Sequence, residues 1–100
     1  MLNINKEKKG NEKLLVGLEG RLDTVTAPQL ENELKASLEG ISELVIDAGK
    51  LEYISSAGLR VLLSAQKIMS KQGSMTVKNV SEEVNEIFEV TGFSDILTIV

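Results

Sequence analysis

Leu2 and Ile4 alternate with Asn3 and Asn5 at the start of the chain, the period of two that marks a half-buried strand, and a turn at Lys9-Gly10-Asn11 follows. Leu14-Leu15-Val16-Gly17-Leu18 is a denser apolar run and predicts a more buried strand. Gly20-Arg21-Leu22-Asp23-Thr24-Val25 leads away from it as a loop. Thr26-Ala27-Pro28-Gln29 then predicts a helix start, with Thr26 as the cap, Pro28 in the first turn where a missing N–H costs nothing, and Gln29 completing a capping box. Ala27, Leu30, Leu34 and Leu38 repeat at helical spacing, Glu31, Asn32, Glu33 and Lys35 fall outside that stripe, and Gly40 closes the helix.

Leu44-Val45-Ile46 is a short unbroken apolar run rich in β-branched residues, which predicts an interior strand with Asp47 at its C-terminal end. A second helix is expected from Ala57 to Ser70, ended by Gly73. Met75-Thr76-Val77 with Val80 predicts another strand. Val84, Ile87 and Phe88 lie on one face of a third helix, opened by Ser81 and stopped near Gly92, and Ile96 to Val100 predicts a last strand. Strands alternating with helices of about a dozen residues call for βαβ crossovers. The expected fold is therefore α/β, a single domain over residues 1–100, with a mixed, mostly parallel sheet of about five strands and helices packed against it. In such a sheet chemistry sits beyond the C-terminal ends of the strands. That rule singles out Gly20 to Thr26 and Gly49 to Gly58.

Composition acts on this picture mainly by exclusion. One hundred residues build one core, and no stretch approaches the roughly 20 apolar residues of a membrane span, so no membrane insertion is expected. The chain contains neither Cys nor His, which removes thiolate and imidazole ligands, the thiol nucleophile and the side chain most used as a base near neutrality. Zinc sites, Cys proteases and Ser-His-Asp triads are excluded, and no catalytic residue, metal or cofactor is predicted. The net charge of −4 and the scatter of Tyr53, Phe88 and Phe93 argue against nucleic-acid binding. Lys6, Lys8 and Lys9 form the one basic run, read as a solvated turn between strands. The first ten residues lack the roughly 7–15-residue apolar segment of a signal peptide, so a cytoplasmic location is expected.

The informative segment runs from Leu44 through Asp47 and Ser55-Ser56-Ala57-Gly58-Leu59 to Leu63. Two serines at a helix start supply an N-cap, whose hydroxyl accepts from a free N–H of the first turn. Gly58 also lets a group approach the backbone closely, and the first-turn N–H donors with the positive end of the helix dipole favour an anion. A phosphoryl group on Ser56 would sit in that field and add about −1.5 to −2 of charge with three acceptor oxygens. Both roles are compatible, with Ser55 capping and Ser56 modified. On the helix that follows, Val61, Leu62, Ala65, Ile68 and Met69 form one stripe and Arg60, Ser64, Lys67 and Lys71 the opposite face. Leu59 and Leu63 fall off both, one turn apart and close to Ser56, where an exposed apolar patch would be a docking site unless a neighbouring helix covers them.

Asp47 through Ser56-Ala57-Gly58-Leu59, preceded by Gly20-Arg21-Leu22-Asp23 and Ala27-Pro28, resembles the STAS domain of bacterial anti-sigma factor antagonists. The similarity covers essentially the whole chain, including the late Phe88 and Gly92-Phe93 region. It implies a phosphorylation-controlled partner switch: the unmodified antagonist binds an anti-sigma factor that is itself a serine kinase and frees the sigma factor it held. Phosphorylation by that kinase breaks the complex, and a serine phosphatase resets it. The family pattern places the phosphorylated serine on Ser56, with Ser55 as a second candidate hydroxyl. It also assigns Asp23, Asp47 and Gly58 to the support of the phosphosite. With Leu59 and Leu63 from the helical phase, the expected partner-binding residues are Thr24, Ser55, Ser56, Leu59 and Leu63. One departure stands out, because Ser55 occupies the position of the family's Asp just before the phosphorylated serine.

Two other function classes compete with this expectation. A STAS subunit regulating a membrane transport complex would use Ser55 and Ser56 as contacts or caps without phosphorylation. An enzyme would use Asp23, Asp47 and Asp95 as carboxylates, with Asp23 and Asp47 converging at the strand ends to hold Mg²⁺ near a phosphate. In the phosphorylation reaction itself the chain is the substrate, so no enzymatic activity is expected.

Overall fold

A three-residue turn opened by Gly10, at φ +68°, reverses the chain so that β1 (Leu2–Lys9) runs antiparallel to β2 (Lys13–Leu22). The computed structural model describes residues 2–100. After β2 come α1 (Ala27–Ser37), β3 (Glu43–Ile54), α2 (Ser56–Ser70), β4 (Ser74–Lys78) and α3 (Glu82–Thr91), then a 3₁₀ turn over Phe93–Asp95. The strand order is β1-β2-β3-β4, with β3 parallel to both β2 and β4. Two parallel steps in the same direction, each right-handed, put α1 and α2 side by side on one face of the sheet. Leu30 and Leu34 from α1 and Leu62, Ala65 and Met69 from α2 meet Leu14, Val16, Leu44, Ile46, Met75 and Val77 in one continuous core. The α/β class and the three helices agree with the sequence reading, and Ser81 caps α3 at the Val84 N–H with Gly92 in the left-handed conformation after it.

Three expectations are corrected. The fifth strand shrinks to a single parallel bridge between Val77 and Ile99. Its first residues are committed elsewhere, because the Ile96 and Leu97 N–H groups donate to the Phe93 carbonyl and close the 3₁₀ turn. Only Thr98 and Val100 are left to bond Val77.

The loops expected at Gly20 to Thr26 and Gly49 to Gly58 are largely strand. Strand β2 continues to Leu22 and β3 to Ile54, with irregular register between Gly17 and Glu19 and between Gly20 and Arg21. At each irregularity β3 holds one residue more than β2, so its buried positions pass from Leu44, Ile46 and Ala48 to Leu51 and Ile54. A spacing of three is neither that of a strand nor, over so few residues, that of a helix. The bulges keep Leu51 and Ile54 on the core face.

The third correction concerns the start of α1. Thr26 has helical backbone angles and its hydroxyl caps nothing; it donates to the Arg21 carbonyl at 2.8 Å and accepts from the Asp23 N–H at 2.9 Å. Asp23 does the capping instead, its Oδ1 accepting from Val25 and Thr26 N–H at 3.0 and 3.1 Å. Gln29 completes no capping box and its amide reaches the Leu2 carbonyl at 3.4 Å.

Candidate functional site

Strands β2 and β3 end together, Leu22 opposite Ile54, and the chain then diverges into the α1 turn and α2. One hydrogen bond fastens the two exits: the Ser55 N–H donates to the Leu22 carbonyl at 2.8 Å. Ser55 is extended (φ −96°, ψ 175°), its Oγ accepts from the Gly58 N–H at 3.3 Å, and its carbonyl takes the first helical bond from Leu59. Ser55 is thus the N-cap of α2, and the cap expected from the sequence is present. Ser56 is the first residue of the helix; it is exposed, and among the described residues its hydroxyl has no hydrogen-bond partner. The first turn carries no acidic side chain. A hydroxyl free in solvent at the positive end of a helix is chemically available for phosphoryl transfer, and the resulting dianion would meet a favourable field.

Gly58 is buried, and its role differs from the one expected. A Cβ at this position would lie 2.7 Å from Leu22 Cγ, 2.9 Å from Ile54 Cγ1 and 3.0 Å from the Leu22 carbonyl oxygen. The missing side chain lets α2 press onto the strand ends; the space is filled by protein, so no ligand approaches the backbone there. The same approach corrects the docking patch. Drawn down at Gly58, the helix carries Leu59 into the core, where it is 4% exposed, and leaves Leu63 half-buried. Leu59 is a packing residue and offers no surface to a partner.

Asp23 stands one residue beyond the Leu22–Ser55 hydrogen bond, at the mouth of the site. The Thr26 N–H, seconded by the Val25 N–H, the Thr26 hydroxyl and the Arg21 charge, holds its carboxyl below the usual carboxylate range. The Arg21 guanidinium is 4.4 Å from the centre of the Tyr53 ring and its Nε is 3.9 Å from Asp23 Oδ2. Thr24 is exposed at the tip of this turn. Beside it Val25 is 85% exposed, a residue the sequence reading passed over. The available signal was its position, an apolar residue in a polar turn and outside the 27–30–34–38 stripe.

Asp47 is elsewhere. It pairs with Gly17 in the middle of β3, and from that pair to the last one, Leu22 with Ile54, the partner strand advances from Gly17 to Leu22, roughly 17 Å at strand rise. Its Oδ1 accepts from the Gly49 N–H at 2.9 Å and from Asn79 Nδ2 at 3.2 Å, which steadies the first bulge and ties it to the end of β4. The Gly49 N–H, then Asn79, Lys78 and Lys50, hold its carboxyl low. A depression of about 430 Å³ lined by Asn5, Gly17, Asp47, Gly49 and Asn79 belongs to this bulge. Asp47 therefore braces the strand that leads to the site and does not touch Ser56. Asp23 and Asp47 do not converge, Asp95 lies in the 3₁₀ turn, and among the described residues no three acidic side chains group as metal ligands. Among those residues no helix is long and apolar enough to cross a membrane.

Comparison with known proteins places this geometry. The family model described as "Mlab, STAS domain" matches residues 5–99. BtrV of Bordetella bronchiseptica, named for anti-sigma factor antagonism, is 41% identical over 88 residues, covering 86% of this chain and 76% of its own. The anti-sigma-B factor antagonist of Bacillus subtilis is 35% identical over 100 residues, covering 98% and 92%. Among solved structures, an anti-sigma factor antagonist from Mycobacterium paratuberculosis superposes with a TM-score of 0.89 at 24% identity, covering 99% of this chain and 85% of the other. The phosphorylated form of the Bacillus cell fate determinant SpoIIAA superposes at 0.76 and 16% identity, covering 98% and 91%.

Proposed function

This chain belongs to the STAS-domain family of anti-sigma factor antagonists, and from that premise we propose that Ser56 is the residue through which its partner exchange is switched. Unmodified, the protein binds an anti-sigma factor with serine kinase activity and displaces the sigma factor. The kinase, acting in the cytoplasm, transfers phosphate to Ser56, the complex dissociates, and a serine phosphatase restores the binding form. The observation that carries this reading is the division of labour between the two serines. Ser55 spends its hydroxyl on the Gly58 N–H and its own N–H on Leu22, whereas Ser56 presents a hydroxyl with no partner among the described residues.

The neutral cap shapes the switch. Where the family carries an Asp before its phosphoserine, Ser55 adds no charge, so phosphorylation moves the α2 terminus from uncharged to strongly negative. The helix end favours that charge and the fold persists. A partner that has packed against the terminus meets a dianion it must desolvate or neutralise, a penalty of several kcal/mol. A change of 1.4 kcal/mol is already tenfold in affinity. Exchange therefore needs no refolding.

The assignment is tested by incubating the protein with the purified anti-sigma factor kinase and ATP and mapping the phosphopeptide. Wild type should take one phosphate, on Ser56, and Ser56→Ala none. A phosphate on Ser55, or undiminished labelling of Ser56→Ala, would overturn it.

A further inference from the structure

We infer that Arg60 receives the phosphoryl group placed on Ser56, and that this pair within α2 holds the phosphorylated form in one geometry. The inference rests on the reading of Ser56 above and supplies the cation which that reading leaves out. Ser56 is the first residue of α2 and Arg60 stands four residues on, so the two share one face of the helix. Helical side chains lean toward the N-terminus, which carries the Arg60 guanidinium back over the turn that Ser56 opens. An anion four residues before a cation is also the favourable order along a helix.

Arg60 is exposed and, among the described residues, makes no ion pair. Helix α2 carries no Asp or Glu over its whole length, and the residues one turn to either side of Arg60 are Ser56, Ala57, Leu63 and Ser64. Ser64 is half-buried and lies on the unfavourable, C-terminal side, so Ser56 is where negative charge can arise beside Arg60 within the helix. Before that charge arrives, a cation near the positive end of a helix gains nothing from the dipole. Arg21, the guanidinium on the neighbouring turn, is already placed: it lies 4.4 Å from the centre of the Tyr53 ring, with Asp23 3.9 Å from its Nε.

The chemistry of the two groups matches. A phosphoserine presents three acceptor oxygens, and the planar guanidinium fork engages two of them at once. In the first turn the Gly58 N–H is taken by Ser55 Oγ and the Leu59 N–H by the Ser55 carbonyl, which leaves the Ala57 N–H to the third oxygen. Exposed pairs of single charges contribute little. Here a dianion meets a forked donor, and the pair exists only after modification, so Arg60 reports the state of Ser56. The helix face they share passes from one positive charge to about one negative.

The test replaces Ser56 by phosphoserine during translation of the full chain, in the wild-type background and with Arg60→Lys, Arg60→Gln or Arg21→Gln. Phosphorus NMR follows the second ionisation of the phosphate in each, and thermal unfolding compares each with its unmodified counterpart. In the wild-type background that ionisation should fall about half a unit below its midpoint in Arg60→Gln. Arg60→Lys keeps the charge but loses the fork and should lie between them, and Arg21→Gln should match wild type. Phosphorylation should raise Tm by about 3 °C less in Arg60→Gln than in wild type, while the unmodified forms of the two unfold together. Equal midpoints in wild type and Arg60→Gln, or a shift that follows Arg21 instead, overturn the pair and leave the Ser56 assignment standing, since no kinase takes part. Separately, an anti-sigma factor kinase that labels wild type at a residue other than Ser56 overturns that assignment and the place of the pair in the switch with it.

Discussion

The backbone N–H of Ser55 donates to the carbonyl of Leu22 at 2.8 Å, which ties the start of α2 to the strand end from which the turn of Asp23, Thr24 and Val25 leaves. Ser56 and this turn come from segments more than thirty residues apart in sequence. Their relative position is set by the last pair of the β2–β3 ladder.

Ser55→Ala removes the cap of α2 and leaves the Gly58 N–H without its acceptor. The expected cost is about 1 kcal/mol, read as a fall of roughly 4–8 °C in Tm for a domain of this size. Ser55→Asp retains the acceptor and adds a charge that suits the helix end, so it should match or exceed wild-type stability. Ser56→Ala, by contrast, should lie within about 0.5 kcal/mol of wild type. Urea unfolding of the three variants checks the ranking; equal losses at both serines would contradict the division of labour.

Gly58→Ala sets helix propensity against packing. Alanine is favoured over glycine in a helix by about 1 kcal/mol. Its methyl, however, would meet the Leu22 carbonyl oxygen at 3.0 Å as well as two core side chains, and overpacking of this kind costs about 1–3 kcal/mol. Net destabilisation is expected, together with weaker partner binding as α2 is pushed off the strand ends. A variant more stable than wild type would show that the helix does not depend on this approach.

Asp23 and Asp47 have carboxyls held below their unfolded values. Each binds its proton less readily when folded, so the stability they contribute is present above about pH 4, the unfolded carboxylate range. It is lost as pH falls through the lower folded values. The Asp23→Asn, Asp47→Asn double variant should lose stability at pH 7 and show a flatter decline below pH 4 than wild type. Denaturant unfolding from pH 7 to pH 2.5 measures this, and parallel curves would contradict it. Asp47→Asn alone should leave partner affinity unchanged, because Asp47 braces the bulge at Gly49 and Asn79.

Leu59→Ala should destabilise the fold by about 2–5 kcal/mol, the usual range for a buried leucine. Leu59→Lys should fail to fold. A folded Leu59→Lys with wild-type thermal stability would return Leu59 to the surface and to the docking role the helical phase suggests.

The class of fold was legible because helix and strand periods change cleanly along the chain, and because Ser55, Ser81 and Gly92 mark helix ends by local chemistry alone. The reading of 48–54 failed for a specific reason: Ala48, Leu51 and Ile54 are three apart, and only the partner strand shows that bulges absorb the extra residues. Thr26 misled because its hydroxyl is engaged by the Asp23 N–H and the Arg21 carbonyl, on the strand side of the turn, and so is not available to the first turn of the helix. At the site, Ser56 and Ser55 were legible as a pair from their place before a helical run. Gly58 and Leu59 were not, since their surroundings come from Leu22 and Ile54 across the sheet. The alignment of Asp47 with Ser56 rests on a shared motif, and distance along β3 separates them.

The switch at Ser56 is tested by titrating the anti-sigma factor kinase with unmodified protein and with protein phosphorylated stoichiometrically on Ser56. Phosphorylation should weaken Kd by at least tenfold, with the circular dichroism of the free protein unchanged and its Tm at or above the unmodified value. Equal affinity of the two forms, or dissociation accompanied by loss of the fold, would contradict it.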